Sequence, residues 1–267
     1  MDKEVEIDLD WNDDDVVPEH VTPDILFLFD RMIEATINEV DLTKGDRVLD
    51  VGCGRAVDAI KIAQKGGDPV GIEPSRTMLG HGKTCVAENG KSVSLIQGIG
   101  ESLPFKAQTF DWVVCKGALD HFPDPYKTVE EIARVLKPDG KAVIALANFE
   151  SLGHRLGKNI DRLTGFIPRK DPNKRRAWET PPDHTYRYDY PLIKHVASSH
   201  LEIEEVVGIS LLWGAPLWDK FLDIMPRKLS FSILGMLDVL ARRVPSMSDV
   251  VIVRCCRKYA PAIEEKA

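Results

Sequence analysis

The stretch Arg47-Val-Leu-Asp50-Val-Gly52-Cys-Gly54-Arg-Ala56 has the residue types and spacing of a ligand-binding turn. An apolar run that reads as a buried strand ends in glycine, and a helix is expected from about Val57. Gly52 and Gly54 let the backbone approach a ligand where a side chain would block it. The following helix would offer free N–H groups to a carboxylate. Further along stand side chains able to move a proton near neutral pH: His121 in Asp120-His-Phe122, and His184 with Tyr186 in Pro181-Pro-Asp-His-Thr-Tyr-Arg-Tyr188. The pattern implies no metal site: the five cysteines include no C-x-x-C pair and read as thiols of a reducing compartment.

The elements that must position these residues alternate in type. A helix is expected over 22–40, with Thr22 as its N-cap and Pro23 at its first position. Strands follow near 47–52, 69–73, 93–97, 111–116 and 141–147, interleaved with helices from 57, near 75–88 and near 125–136. Such alternation with short links marks a parallel sheet covered on both faces. Ligands then bind at the carboxyl ends of the strands. After Asn148 the rhythm breaks. Residues 149–184 are polar, basic and without a clear period, and read as a lid or insertion. A helix near 189–200, a strand over 202–208, an apolar helical region over 216–243 and a last strand over 248–257 complete the chain.

Two ligand classes suit a glycine turn of this kind. A dinucleotide site asks for G-x-G-x-x-G/A, and Val57 stands where the small residue belongs. The alternative is carried by four motifs in order. VLDVGCGRA resembles motif I of the class I S-adenosylmethionine (SAM) methyltransferases, usually VLDxGxGxG. Val70-Gly-Ile-Glu73-Pro74-Ser75 resembles the end of their second strand. Gly98-Ile-Gly100-Glu101-Ser-Leu-Pro104-Phe105 with Thr109-Phe-Asp111 resembles their adenine loop and fourth strand, and Arg134-Val-Leu-Lys-Pro-Asp-Gly140 their turn before the fifth strand. Together these cover about residues 40–148 and resemble most nearly the small-molecule enzymes of the ubiquinone and menaquinone methyltransferase type.

The resemblance implies a Rossmann-like, doubly wound, mainly parallel seven-stranded sheet with helices on both faces and a lid or cap insertion. Its organisation would be an acidic N-terminal tail (1–20), a SAM-binding core (21–148), a basic lid (149–184) and a C-terminal part (185–267) carrying an apolar helical cap (211–243). SAM would be the cofactor. Asp50 would order the loop and the amino group. Gly52 and Gly54 would lie against the methionine part. Glu73 would take both ribose hydroxyls, beside Pro74. Gly100 and Glu101 would line the adenine, and Lys116 would sit near the methionine carboxylate or the methyl exit. His121, His184 and Tyr186 are the candidates for proton handling at the acceptor; His154 reads as a solvated residue of the basic loop. The motif departs at Ala56, where a third glycine is usual, and at Ile99, where an adenine-binding acid is often found.

Charge and missing motifs narrow the acceptor. The net charge of −7 argues against a general nucleic-acid binder. Residues 1–20 hold nine acids against one base, and residues 151–180 eight bases against three acids. No [DN]-P-P-[YF] follows the fourth strand and no Pro-Cys nucleophile is present, which leaves a small-molecule acceptor, with O-methylation of a metabolite, sugar or lipid- or quinone-like compound first. A catalytically silent SAM-binding partner or sensor is the alternative. The richest apolar run, 229–241, is too short to span a bilayer, so a cytoplasmic protein is expected, with peripheral membrane contact through 211–243 as a further expectation.

Overall fold

The computed structural model describes residues 7–13, 21–164 and 179–258. Most of the acidic tail and the centre of the basic segment lie outside the described residues.

Among the described residues seven strands form one sheet in the order β3-β2-β1-β4-β5-β7-β6. In chain order they are β1 (Arg47–Val51), β2 (Asp68–Glu73), β3 (Ser94–Gln97), β4 (Phe110–Lys116), β5 (Leu136–Ala147), β6 (Leu201–Ile209) and β7 (Val250–Arg257). The first five run parallel, and β7 pairs antiparallel with both β5 and β6. The doubly wound, mainly parallel sheet expected from the alternation is thus present. Strand order reverses between β1 and β4, the point at which such sheets open a crevice for ligands.

Among the described residues eight α-helices surround the sheet: α1 (Pro23–Asn38), α2 (Val57–Gln64), α3 (Arg76–Asn89), α4 (Pro125–Val135), α5 (Leu152–Thr164), α6 (Tyr190–Ala197), α7 (Trp218–Asp223) and α8 (Arg227–Ala241). The period of two along the strands divides the core. Leu49, Val51, Val113 and Cys115 point to one face, where α4 and α6 contribute Val129, Ile132 and Ile193. Val48, Trp112 and Val114 point to the other, against Leu28, Ala35 and Ile37 of α1 and Ile62 of α2.

Local chemistry departs from the expected outline in four places. Thr22 precedes α1 in extended backbone but does not cap it; its hydroxyl donates to Asp24 Oδ1 at 2.5 Å, and Asp24 is buried. The fifth strand begins at Leu136, because Leu136 pairs with Phe110 before an irregularity shifts the register and Lys141 pairs with Trp112. Residues 152–164, read as aperiodic, form α5: Leu152, Leu156, Ile160 and Leu163 recur at helical spacing among basic residues. His154 is buried rather than solvated, its ring 5.3 Å from that of Trp213 and 5.8 Å from that of Phe149.

Candidate active site

At the end of β1 the chain turns back sharply. Gly52, Gly54 and Ala56 have φ of +69°, +49° and +60°, the left-handed region that glycine enters without strain. This explains the usual third glycine of the motif: Ala56 adopts its conformation and starts α2 from it. A side chain at Gly52 would overlap that of Ala118, just past β4, so this glycine lets two strand-end loops close on each other.

The loop is fixed by Glu73, at the end of β2. Its Oε2 accepts from Gly54 N at 2.9 Å and its Oε1 from Ser75 N at 3.0 Å. The carboxylate is 5% exposed, and burial raises its pKa against those two hydrogen bonds. Each oxygen keeps a lone pair beyond its N–H partner. Ser75 caps α3 by accepting from Met78 N at 3.1 Å. Pro74 holds the same turn through its carbonyl, which accepts from Gln97 Nε2 at 3.1 Å.

Asp50, on the α1 face of the sheet, is buried with Asp58 at the head of α2. Lys116 Nζ lies 3.1 Å from Asp58 Oδ2. Burial, then the Asp58 charge, pushes the Asp50 carboxyl well above the usual carboxylate range. Two acids thus share one base, and Asp50 Oδ2 has no hydrogen-bond partner among the described residues. The structure gives Lys116 a first partner, Asp58, that the sequence reading did not foresee. Beyond β3, Gly100 packs where a side chain would press on Phe122 and Thr128. Glu101 Oε1 accepts from Asp124 N at 3.3 Å, while its Oε2 has no partner among the described residues.

A second cluster stands past the end of β4. His184 Nδ1 lies 3.2 Å from Asp120 Oδ2, with Asp120 only 4% exposed. The segment before α6 is clamped there: Thr185 N and Tyr186 N both donate to the Asp120 carbonyl, and Thr185 Oγ1 donates to the His121 carbonyl. The His121 and His184 rings meet edge to face at 4.6 Å. The structure therefore brings together two of the three proposed proton-handling residues. Tyr186 stands beside them: its hydroxyl donates to the Pro123 carbonyl at 3.4 Å and its half-buried ring packs against the core. Asp120, the carboxylate that holds His184, was not among the predicted site residues.

The sequence reading also missed the strap formed by residues 7–13. Leu9 O accepts from Arg76 N at 2.8 Å, and Trp11 O accepts from Ser75 Oγ at 2.5 Å. Asp13 takes two hydrogen bonds of 2.7 Å from Arg55 of the glycine loop, and the guanidinium lowers its pKa. The Trp11 ring lies 5.2 Å from that of His121, and its Nε1 donates to Asp183 Oδ2 at 3.1 Å. This segment ties the glycine loop and the end of β2 to the histidine cluster. The sequence signal was a lone tryptophan within an acidic run.

Residues 49–144 match the family described as "Methyltransferase domain". That match covers the four motifs and agrees with the resemblance to class I SAM methyltransferases that they carry. The demethylmenaquinone methyltransferase of Anoxybacillus flavithermus is 38% identical over 112 residues, 40% of this chain and 47% of that one. The ubiquinone biosynthesis O-methyltransferase of Aliivibrio fischeri is 31% identical over 105 residues, 39% of this chain and 45% of that one. The chain spans about half the length of the curated relatives it matches. The crystal structure of the YcgJ protein from Bacillus subtilis superposes with a TM-score of 0.56 at 21% identity, over 86% of this chain and 100% of that one. That likeness is one of fold and covers more of the chain than the matched segment does.

Proposed function

We propose that the protein transfers a methyl group from SAM to a hydroxyl of a small, quinone-like acceptor. The observation that carries the reading is the pairing, at adjacent strand ends, of a glycine loop fixed by Glu73 with a histidine whose Nδ1 lies 3.2 Å from the buried Asp120 carboxylate. The residues present suit the cofactor. Glu73 offers free lone pairs at the position where two hydroxyls are to be accepted. The Asp50–Asp58–Lys116 cluster carries more acid than base and keeps a carboxylate oxygen without a donor, which suits a nearby ammonium. The chemistry SAM supplies is a methyl already activated by a positively charged sulfur.

The chain then has three tasks. The glycine loop and Glu73 hold the donor and fix the direction from which the methyl leaves. The second cluster receives the acceptor, and His184, beside the buried Asp120 carboxylate, takes the proton of the acceptor hydroxyl. The strap through Trp11 excludes water from the junction. The acceptor class rests on the names of the matched relatives, whose own acceptors are menaquinone and ubiquinone precursors by those names.

Calorimetry with SAM, S-adenosylhomocysteine and NAD, followed by transfer of labelled methyl to phenols and quinols, tests this. SAM binding without NAD binding, and transfer that falls at least about a hundredfold in His184→Ala, is the expected result. SAM binding with no transfer to any hydroxylated acceptor would favour the silent partner; NAD binding would overturn the reading.

A further inference from the structure

Helix α8 is turned inside out. Its buried stripe is Ser230, Leu234, Asp238 and Ala241, half of it polar. The polar pair is engaged locally: Ser230 Oγ donates to the Leu222 carbonyl at 2.8 Å, and Asp238 accepts from Arg31 Nε at 2.8 Å and Ser210 N at 3.1 Å. The opposite face carries Leu229, Met236 and Leu240, at 49%, 67% and 48% exposure, with Val239 beside them at 56%. These recur at i, i+7 and i+11, with Ile233 completing the stripe. The α7 region adds Leu217, Phe221 and Ile224, the last 81% exposed. An apolar surface of this extent needs an occupant.

Its charge indicates which. In a chain of net charge −7, the exposed charges of α7, α8 and the turn after it are Lys220, Arg227, Lys228, Arg242 and Arg243 against Asp219 and Asp223, with Asp30 and Glu34 exposed on the neighbouring α1 and Arg242 paired with Asp238. A second copy docked by a two-fold axis would set those bases against one another. An anionic lipid surface meets both the apolar stripe and the bases. No helix among the described residues is long and apolar enough to cross a membrane, so contact is made in the plane of the interface. We infer that α7 and α8 form a docking surface for a bilayer rich in anionic phospholipid, with the stripe in the acyl boundary and the bases at the headgroups. Helix α5 carries Leu163 at 84% exposure beside Arg162, while Arg155 and Lys158 pair with Glu150, and its first turn packs on the 212–213 segment that leads into α7.

The experiment is co-sedimentation of the full chain with phosphatidylcholine vesicles, alone or with phosphatidylglycerol added. Partition onto the anionic vesicles is expected, falling at least about tenfold in Lys228→Glu/Arg243→Glu and on raising salt. Met236→Glu/Leu240→Glu should lose at least about tenfold as well. All four positions are solvent-facing, so thermal melts and calorimetric SAM binding should match the parent chain, which separates this inference from the methyl-transfer reading. A chain that stays in the supernatant with anionic vesicles overturns the inference. So does equal partition of Met236→Glu/Leu240→Glu, or a concentration-dependent dimer that the same variant dissolves.

Discussion

Glu73→Gln is the sharpest perturbation of the cofactor site. The wild-type carboxylate accepts one backbone N–H at each oxygen, from Gly54 and from Ser75. Glutamine keeps the shape but turns one oxygen into an NH2, which would face an N–H donor. Losing one hydrogen bond to a charged acceptor costs about 1.5–3 kcal/mol. The loss to folding is partly offset, because burial already penalises the Glu73 charge and the amide is neutral. Stability should therefore fall by about 1–2 kcal/mol. SAM gains no such offset: a charged acceptor for its ribose is gone, and affinity should fall by about 1.5–3 kcal/mol, roughly ten- to 150-fold. The assay is a SAM calorimetric titration paired with a thermal melt on the same preparation. SAM affinity within about twofold of wild type in a folded variant would refute the assignment of Glu73 to the cofactor. The pH dependence has a definite sign: the Glu73 pKa is raised, so SAM binding should weaken on acidification at higher pH than an ordinary glutamate would give.

Three other outcomes follow from the geometry. Gly52→Ala combines a positive φ with overlap at Ala118 and should cost about 2–4 kcal/mol; an unchanged urea midpoint would contradict the packing. Asp249, buried with its Oδ2 on Trp213 N, is pushed up to about 7 by burial, with Ser210 and Ser151 pulling the other way. A raised folded pKa favours the protonated fold, so this group's contribution is present below the ordinary value and lost as pH climbs to about 7. Asp249→Asn should flatten that slope and be more stable than wild type at pH 8, by up to about 4 kcal/mol; parallel stability–pH curves for the two proteins would disprove it. Trp11→Ala removes a ring contact and a hydrogen bond and should weaken SAM or acceptor binding about tenfold, seen in Kd or KM; unchanged constants would make the strap incidental.

The sequence by itself determined the core of this protein, because each strand–turn–helix step is a local pattern. The run from Arg47 to Val51 is apolar and β-rich, the glycines that follow supply positive φ, and Glu73 and Pro74 mark the next strand end. Local patterns also placed His121 and His184 near strand-end loops. What they could not supply was distance in space. Asp120 and His184 are 64 positions apart along the chain and meet only because the segment before α6 docks on the Asp120 backbone. Lys116 turned to Asp58 because the alternation of β4 sends its side chain to the α1 face, where a buried acid waited for a partner. His154 looked solvated because its neighbours are charged, and Trp11 lay in a stretch read only as an acidic tail; tertiary packing found each of them an aromatic partner. The inward and outward faces of α8 were equally a tertiary decision. Both of its stripes are apolar enough to be buried, and the contacts of Ser230 and Asp238 selected the more polar one.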